Sequence, residues 1–422
     1  MWKLVMLPII MALMTTMFGA NYFISTTGSD SNDGTIGSPF LTIQHCTGLV
    51  VAGDTCNVRT GTYNLRPSGP YNPIWLGNGH SADGTSGNVI TLKAYNHEVV
   101  AIQQNGYDTI IQLDGVSYWT VEDVILDGST GPGFRACNAS IGALIAGRGE
   151  HFIVQNSEIK NGVSHGILAE STTEFKVLNV NVHDNGTLAF INCDMISIQM
   201  HGVYWYGKYL LIDGGSYHDN AGFGVHIYSS GQNDLGHNTV RNARVYENNP
   251  YPDGNGGGVI LSSGPENLAY NNLIYLNTGT GIQISGGCGL TGAACQALNN
   301  TIYGNDGKGV FITTGDTTGA VLKNNILYAN TGAAYTDDGI ASVISNNLTT
   351  DPSFTNVGSA DFTITSGSAA RSYGVNVTPL GITGLLTDLD GHARPNAAAD
   401  AGAYQYFSAG MSGAGPGRLR FH

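Results

Sequence analysis

The sequence predicts an all-β solenoid built from stacked coils of short strands. A repeated phrase is the first observation: "NNLIYLNTGTGIQI" starts at residue 271, "NNTIYGNDGKGVFI" at 299 and "NNILYANTGAAYTD" at 324. Apolar residues alternate within each copy, which is the second observation. Composition is the third, because charged residues make up 11% of the 422 residues and glycine numbers 60, as in chains of short strands and many turns.

Aligning the copies on their first asparagine defines nine marker positions. They are Asp123, Asn156, Asn179, Gly214, Asn242, Asn271, Asn299, Asn324 and Asn346. Their spacings run from 22 to 35 residues, which indicates a repeat architecture. Val225 with Ile227, and Ile282 with Ile284, show the strand period of two, in which alternate side chains point inward. One coil cannot bury its own apolar face, whereas stacked coils can.

The repeated asparagine is best explained as an architectural device. A tight corner between strands forces left-handed dihedral angles, which asparagine tolerates because its amide can bond the local backbone. Stacking would place successive side chains about 4.8 Å apart, so their amides could bond along the stack. We therefore expect this ladder to support the fold and not to catalyse.

The N-terminus reads as an export signal over residues 1–20. Lys3 gives a positive start, residues 4–17 are apolar, and Phe18-Gly19-Ala20 is a candidate cleavage site. The alternative is a membrane anchor, for which about 16 apolar residues would be short. We expect a secreted or cell-surface protein with no membrane span after signal removal.

Export to an oxidising compartment favours disulfides among the six cysteines. Two pairs are close in sequence, and we expect both to be bridged: Cys46 with Cys56, and Cys288 with Cys295. Cys137 and Cys193 are left without an assigned partner, and free buried cysteine is the simplest state for them.

Three stretches resemble the secreted right-handed parallel β-helix proteins of the pectate-lyase-like superfamily. "YFISTTGSDSNDGT" with "SPFLTIQ" (22–44) resembles their N-terminal entry, N-x-φ-Y-x-N-x-G-x-G-φ coils cover 118–350, and "DPSF", "DFTITSGSAA", "DLDGHARP" and "AGAYQY" (351–406) resemble their closing module. The resemblance implies a right-handed parallel β-helix of about nine or ten coils. Its parts would be an N-terminal cap with the first coils (21–117), the repeats (118–350), the closing module (351–406) and a flexible tail (407–422).

The resemblance is informative about fold and uninformative about reaction, because this fold hosts lyases, hydrolases, epimerases, adhesins and phage tailspikes. The N-T-D, G-H-G and R-I-K motifs of β-helix polygalacturonases are absent, and so is the R-x-P-x-x-R motif of pectate lyases. Asp337-Asp338 stands alone and is expected to be a solvated turn.

Strand alternation predicts which polar side chains face outward in the middle coils. With Val225 and Ile227 inward, and "CDMISIQMHG" (193–202) taken as a strand, the outward polar residues are Glu170, Gln199, His201, His226, Tyr228 and Gln283. The longest marker spacing contains "HGVYWYGKY" (201–209), which we expect to be an exposed loop whose aromatic rings stack on sugar. Its aromatic residues are Tyr204, Trp205, Tyr206 and Tyr209, and a second loop at 248–258 adds Tyr251. The alternative is that the aromatic rings of the first loop pack onto the barrel.

These residues suggest a carbohydrate-active protein, with a polysaccharide lyase ahead of a glycoside hydrolase. In a lyase, His201 or His226 would be the base, Lys208 or Arg148 would neutralise a uronate carboxylate, and Tyr228 would be the acid. A hydrolase would instead pair Glu170 with Asp194 or Asp219. A third alternative is a non-catalytic adhesin or surface spike that holds glycans with the same aromatic residues.

The net charge of the chain limits which classes of partner it can bind. The net charge of −14 argues against nucleic acid, because phosphate binding needs clustered Lys and Arg. The expected partner is a polysaccharide, including an anionic one, bound by a monomer. Ca²⁺ is a candidate cofactor at two acidic turns, "DSNDG" (30–34) and "DLDGH" (388–392), although a hydrogen-bonded Asx turn explains both sequences better.

Overall fold

The computed structural model describes residues 19–65, 73–104, 109–128, 143–186, 200–228, 236–249, 256–262, 264–289, 293–315 and 317–407. Residues 1–18, which contain most of the predicted signal, lie outside the described part, as do Cys137 and Cys193. No helix in the described part is long and apolar enough to cross a membrane.

Three long sheets run the length of the described chain, and we number the strands in chain order. Sheet A contains β1 (Asn21–Ile24), β2 (Thr55–Val58), β5 (Ile90–Ala94), β8 (Trp119–Glu122), β11 (Ile153–Gln155), β14 (Lys176–Leu178), β17 (Leu211–Asp213), β20 (Thr239–Arg241), β23 (Leu268–Tyr270), β26 (Gln296–Leu298), β29 (Val321–Lys323) and β32 (Val343–Ser345). Sheet B contains β3 (Gly61–Asn64), β6 (Val100–Gln103), β9 (Ile125–Asp127), β12 (Glu158–Lys160), β15 (Asn181–His183), β18 (Ser216–His218), β21 (Arg244–Tyr246), β24 (Leu273–Tyr275), β27 (Thr301–Tyr303) and β30 (Ile326–Tyr328). Sheet C contains β4 (Ile74–Gly77), β7 (Ile111–Ser117), β10 (Ile145–Glu150), β13 (Ile167–Thr173), β16 (Val203–Lys208), β19 (Phe223–Ile227), β22 (Gly257–Ser262), β25 (Thr280–Ser285), β28 (Val310–Ile312) and β31 (Tyr335–Asp337).

From β2 to β32, successive strands visit sheets A, B and C in turn, and each pairs in parallel with its counterpart one coil away, as β16 does with β19. Sheets B and C each hold ten strands in the described residues, so the chain makes ten turns there. The architecture is therefore an all-β parallel β-helix, as predicted.

The core is the space enclosed by the three sheets. Val225, Ile227, Ile282 and Ile284 are each at most 1% exposed and belong to one continuous apolar cluster. The predicted inward register of these strands is confirmed. A strand has a period of two, so the residues between them necessarily face outward.

The marker positions have the backbone conformation that the sequence predicted. All nine have positive φ, from 49° at Asn156 to 76° at Gly214. Markers also bond one another in places, as where Asn179 Nδ2 donates to Asn156 Oδ1 at 3.0 Å. The first asparagine of each copy therefore makes the corner.

The main amide ladders, however, run through other asparagines, which corrects the prediction. One ladder uses the second asparagine of each pair, and its members are Asn272, Asn300, Asn325 and Asn347; the other turns the corner from sheet B to sheet C, and its members are Asn185, Asn220, Asn248, Asn277, Asn305 and Asn330. Each Nδ2 donates to the next Oδ1 in its ladder at 2.8 to 3.0 Å. Most of these amides are fully buried, and the ladder satisfies their hydrogen-bonding groups, as burial of a polar group requires.

A short helix, α1 (Ile43–Leu49), packs against the first strands at the N-terminal end. Thr42 caps it by accepting from the His45 N–H at 3.2 Å, and Ile43 is buried in the core. The Cys46–Cys56 disulfide ties this helix to β2, and Cys288–Cys295 closes a turn between β25 and β26. Both predicted disulfides are present. Short 3₁₀ segments occur at Tyr95–His97, Val357–Ser359, Thr378–Leu380 and Thr383–Leu386.

The closing segment folds back along the side of the solenoid. It carries an antiparallel pair, β33 (Phe354–Asn356) and β34 (Asp361–Ile364), and Phe362 packs against Tyr275 at 4.9 Å between ring centres. Arg394 lies buried between the two parts and donates to Asn271 Oδ1 at 3.0 Å and to the Gly402 carbonyl at 2.9 Å. The corner asparagines of the late coils thus serve as docking points for this segment.

Candidate functional site on the outer face of sheet C

The outer face of sheet C carries two columns of side chains in register. In one column Tyr204 pairs with His226 across β16 and β19. In the other, Glu170 pairs with Tyr206 across β13 and β16, and Tyr228 follows Ile227 directly after the end of β19. Glu170, His226 and Tyr228 face outward, as the sequence predicted.

Trp205 is the clearest correction. The segment predicted to be an exposed aromatic loop is strand β16, in which Val203 and Trp205 point inward and Tyr204 and Tyr206 point outward. Trp205 is 0% exposed, and its Nε1 donates to Asn238 Oδ1 at 3.0 Å. The prediction was wrong for Trp205 because "VYWYGK" has the alternation of a strand, which places Trp205 on the inner face. The buried indole N–H needs one acceptor, and Asn238 supplies it.

Tyr204, His226 and Tyr228 form a compact outward group. The Tyr204 ring lies 5.0 Å from His226 and 5.8 Å from Tyr228, centre to centre. Burial raises the pKa of Tyr204, and the neighbouring Tyr228 and Glu170 raise it further. A phenol in this environment stays protonated at neutral pH, so it can donate a proton or a hydrogen bond.

Arg148 adds a cation to the same face. It is exposed on β10 and pairs with Asp114 on β7. On the other side of β10, Gly147 pairs with Ala169 on β13. Arg148 and Glu170 are the residues that follow this pair. Arg148 therefore lies on the strand between those that carry Asp114 and Glu170. Sequence reasoning missed Asp114, although "IQLDG" (111–115) alternates in the same register as the later strands.

His201 is not the exposed outward residue that was predicted. It is 1% exposed and precedes β16, and the segment taken as its strand, residues 193–199, lies outside the described residues. Its Nδ1 accepts the Phe223 N–H at 2.9 Å, and its Nε2 lies 2.8 Å from His226 Nδ1. Both ring nitrogens are thus engaged, which does not fit a general base.

The remaining predicted residues are spread more widely. Lys208 ends β16 on the outer face, opposite Thr173, and Gln283 lies on β25, where its partner Ile260 pairs in turn with His226. Gln199, Tyr251 and Asp194 lie outside the described residues. Asp219 faces the sheet B side, where its carboxylate bonds His218 Nδ1 at 2.7 Å, so it does not pair with Glu170.

The acidic turns proposed for Ca²⁺ are hydrogen-bonded to the chain itself. Asp30 accepts from the Leu41 and Thr42 N–H groups at 2.9 Å each, and Asp388 accepts from the Asp390 and His392 N–H groups at 3.0 and 2.8 Å. These are the bonds of structural turns. In the described residues, no cluster of three or more His, Cys, Asp or Glu side chains is arranged to hold a metal.

The connections that lead into β10 and β16 of sheet C are long. Nineteen residues separate His183 from Val203 and 17 separate Asp127 from Ile145, whereas four separate His218 from Phe223. Connections of this length without secondary structure of their own are uncommon in a compact domain and are often functional.

Comparisons with known proteins agree on the fold. A model of the right-handed β-helix region matches residues 179–349. An uncharacterised Bacillus subtilis protein, YwoF, is 28% identical over 153 residues, or 34% of this chain, and the match spans 29% of the length of that curated relative.

Two solved structures resemble most of the chain. Pectate lyase Pel9A superposes with a TM-score of 0.65 at 15% identity, over 92% of this chain and 96% of its own. The complex of XylC with xylose superposes with a TM-score of 0.50 at 14% identity, over 78% of this chain and 68% of its own. At these identities the likeness concerns the fold alone, and the chain is a right-handed parallel β-helix protein.

Proposed function

We propose that this protein is a carbohydrate-active enzyme that cleaves a uronate-containing polysaccharide by β-elimination on the outer face of sheet C. The observation that carries the proposal is the convergence of Arg148, Glu170, Tyr204, His226 and Tyr228 on adjoining strands. The likeness in fold to a pectate lyase and to a protein solved with bound xylose supports carbohydrate as the substrate class. The protein would act as an exported monomer, and its disulfides fit an oxidising compartment.

β-Elimination needs three groups around the sugar. A base removes the proton beside the carboxyl group, a cation offsets the carboxylate charge so that this proton becomes acidic enough, and an acid protonates the leaving glycosidic oxygen. Each group must reach its atom within hydrogen-bond distance, which side chains projecting from neighbouring strands can do.

The exposed Arg148 guanidinium is the cation, and its planar fork matches a carboxylate in two parallel bonds. Glu170 is the proton acceptor, because it is an exposed carboxylate on the strand next to that of Arg148, and such a group can remove a proton alpha to a carbonyl. Tyr204 is one candidate proton donor, since its raised pKa keeps the phenol protonated. Tyr228, whose ring lies 5.8 Å from that of Tyr204, is the other. Lys208, at the end of the same strand as Tyr204, extends the positive charge along the substrate path.

The test is a panel of uronate-containing and neutral polysaccharides, followed by absorbance near 235 nm for the unsaturated product. Glu170→Gln and Arg148→Met should each lower turnover roughly 10²–10⁴-fold, the usual effect of removing an acid–base or charge-stabilising group. Glu122→Gln is the matched control, because Glu122 lies on sheet A, away from this face. Equal activity of all three variants and the parent would place the site elsewhere.

A glycoside hydrolase is the second candidate, and one observation favours it. Asp114 and Glu170 lie on the same face with strand β10 between them, so their Cα atoms are about two strand spacings, or roughly 10 Å, apart. Carboxyl groups in inverting hydrolases are about 6.5–9.5 Å apart. Hydrolysis would be established if the parent protein produced new reducing ends without absorbance at 235 nm, and if both Asp114→Asn and Glu170→Gln failed to produce them.

A non-catalytic adhesin or surface spike is the third reading. Binding of a glycan without either chemical signal, weakened by Tyr204→Ala and Tyr228→Ala, would support it. The ionisable groups beside the tyrosines favour an enzyme, because a binding platform gains little from Arg148 and Glu170 on adjoining strands.

A further inference from the structure

We propose that a directed chain of hydrogen bonds through His201 fixes His226 as an uncharged donor, which presents its Nε2–H to an oxygen of the substrate. His226 contacts the sugar, and His201 acts through it as a positioning residue. The fixed tautomer stands on the hydrogen bonds alone, whereas the contact with sugar rests on the proposed function. This role replaces the predicted role of either histidine as the base.

The chain begins at the backbone of β19. The Phe223 N–H donates to His201 Nδ1 at 2.9 Å, so this nitrogen must carry a lone pair. A neutral imidazole has one N–H, which is therefore on Nε2 of His201. Protonating Nδ1 would bring two N–H groups face to face, so the buried His201 stays neutral.

The same reasoning passes to the next ring. His201 Nε2 lies 2.8 Å from His226 Nδ1, and because His201 carries its proton on Nε2, His226 Nδ1 must be the acceptor. The proton of neutral His226 is then on its own Nε2. Of the described residues, none accepts a hydrogen bond from this Nε2, and the atom is not among the described buried polar atoms without a partner. The Nε2–H of His226 therefore reaches the surface of sheet C.

A third histidine holds the start of the chain in place. His165 Nδ1 accepts the His201 N–H at 2.8 Å, and its ring stacks on Tyr204 at 5.1 Å between centres. The backbone on both sides of His201 is therefore bonded, which fixes the direction of the ring. The tautomers of His165, His201 and His226 are assigned from these partners, since hydrogen positions follow from the network.

The surroundings keep these rings uncharged. His226 is faced by His201, which precedes β16, and by Phe223 on β19 itself. Tyr204 on β16 and Tyr228 just beyond β19 also face it, and His165 lies on the far side of His201. Burial lowers the pKa of His226 to about 4 and that of His165 to about 3. Burial lowers the pKa of His201 well below its usual value too.

A neutral donor at this point selects an acceptor on the substrate. An imidazolium would bind any anion and would lose its charge near neutral pH, whereas the fixed Nε2–H binds a hydroxyl or carboxylate oxygen with the same strength across that range. It lies beside the phenols of Tyr204 and Tyr228, which are also hydrogen-bond donors. Together these groups fit one sugar ring that is rich in acceptor oxygens.

The experiment is histidine-selective ¹⁵N NMR of the full chain between pH 5 and 8, without ligand. We expect His226 to show the Nε2–H tautomer and no titration in this range. His201→Leu removes the donor, so His226 should lose its tautomer preference and its titration midpoint should rise by at least about one pH unit. His201→Gln offers an amide oxygen to Phe223 and an amide N–H to His226, and should restore the wild-type behaviour. His237→Gln, a change on a remote corner, is the control.

Two results would overturn the chain: titration of His226 between pH 5 and 8 in the parent protein, or an Nδ1–H tautomer. Both can be read even if His201→Leu does not fold, because the parent and His201→Gln suffice. If the tautomer is as expected but no glycan is cleaved or bound, the proposed function fails while the hydrogen-bond chain stands. With an active substrate, His226→Ala should raise KM roughly 3- to 10-fold, the usual effect of losing one neutral hydrogen bond.

Discussion

Replacing Trp205 with alanine tests the inward register of β16 directly. Trp205 is 0% exposed in the solenoid core and contacts Phe175 edge to face at 5.6 Å between ring centres. An exposed glycan-stacking tryptophan could be removed with little effect on folding. A buried one leaves a large cavity among side chains that cannot collapse into it, because the strands on both sides are held by their ladders.

The expected loss is about 3–5 kcal/mol in the free energy of unfolding, the range measured for buried aromatic residues changed to alanine. The variant also loses the bond from Trp205 Nε1 to Asn238 Oδ1, a contribution of about 1 kcal/mol that places the expected value in the upper half of that range. Asn238 Oδ1 keeps a second donor, the Leu210 N–H at 2.9 Å, so it is not left unpaired. Trp205→Phe keeps most of the volume and should cost less than half as much.

Urea unfolding followed by tryptophan fluorescence and circular dichroism measures the change, with Tyr204→Ala as the matched control. Tyr204 is the neighbour of Trp205 on the same strand but points outward, so its loss should cost about 0.5–1 kcal/mol at most. The reasoning is refuted if Trp205→Ala unfolds like Tyr204→Ala while weakening glycan binding. That result would mean that β16 is shifted by one residue in solution.

Two further predictions concern stability. His183 is hydrogen-bonded to both Glu158 and Asp184. Burial disfavours the charged form of His183, but these two bonds outweigh it and raise the pKa of His183 to about 9. The bond from His183 in turn lowers the pKa of Glu158 to about 2. The stability that His183 contributes is complete below its usual pKa of 6.5 and is lost as pH rises through 9. The stability that Glu158 contributes is complete above its usual pKa of 4.5 and is lost as pH falls through 2. Urea midpoints should therefore be highest between pH 4.5 and 6.5, and their decline at alkaline pH should be smaller in His183→Asn. Arg394→Met should lower the free energy of unfolding by about 2–4 kcal/mol, because the buried acceptors around Arg394, including Asn271 Oδ1, lose their donor. Limited proteolysis of this variant should cut first within residues 351–407. Unchanged protection of these residues would contradict the docking role of Arg394.

Much of the fold follows from local properties of the sequence. Positive φ at the marker positions could be predicted because asparagine, aspartate and glycine adopt that conformation at low cost wherever they occur in the chain. The inward direction of Val225 and Ile227 could be predicted because side chains alternate within any strand. The two disulfides could be predicted because each joins cysteines that are close in sequence, 10 and 7 residues apart.

The candidate site could be predicted only where its strands begin at short connections. Glu170, His226 and Tyr228 follow short turns, so counting from nearby apolar residues gave their direction. β16 follows a connection of 19 residues, and nothing in that stretch marks where pairing with β13 resumes. For this reason Trp205 and His201 were placed on the wrong side.

The sequence by itself therefore determined the class of architecture, the corners of the coils and the alternation of each strand, because these depend on residues a few positions apart. Tertiary structure decided which coil each strand stacks upon, and with it the neighbours of every outward side chain. Glu170 lies on the strand next to that of Arg148, and His201 Nε2 lies 2.8 Å from His226 Nδ1, because strands from different coils come within about 4.8 Å of one another. Charge, tautomer and burial depend on those neighbours, and these residues are 22 or more positions apart in the chain.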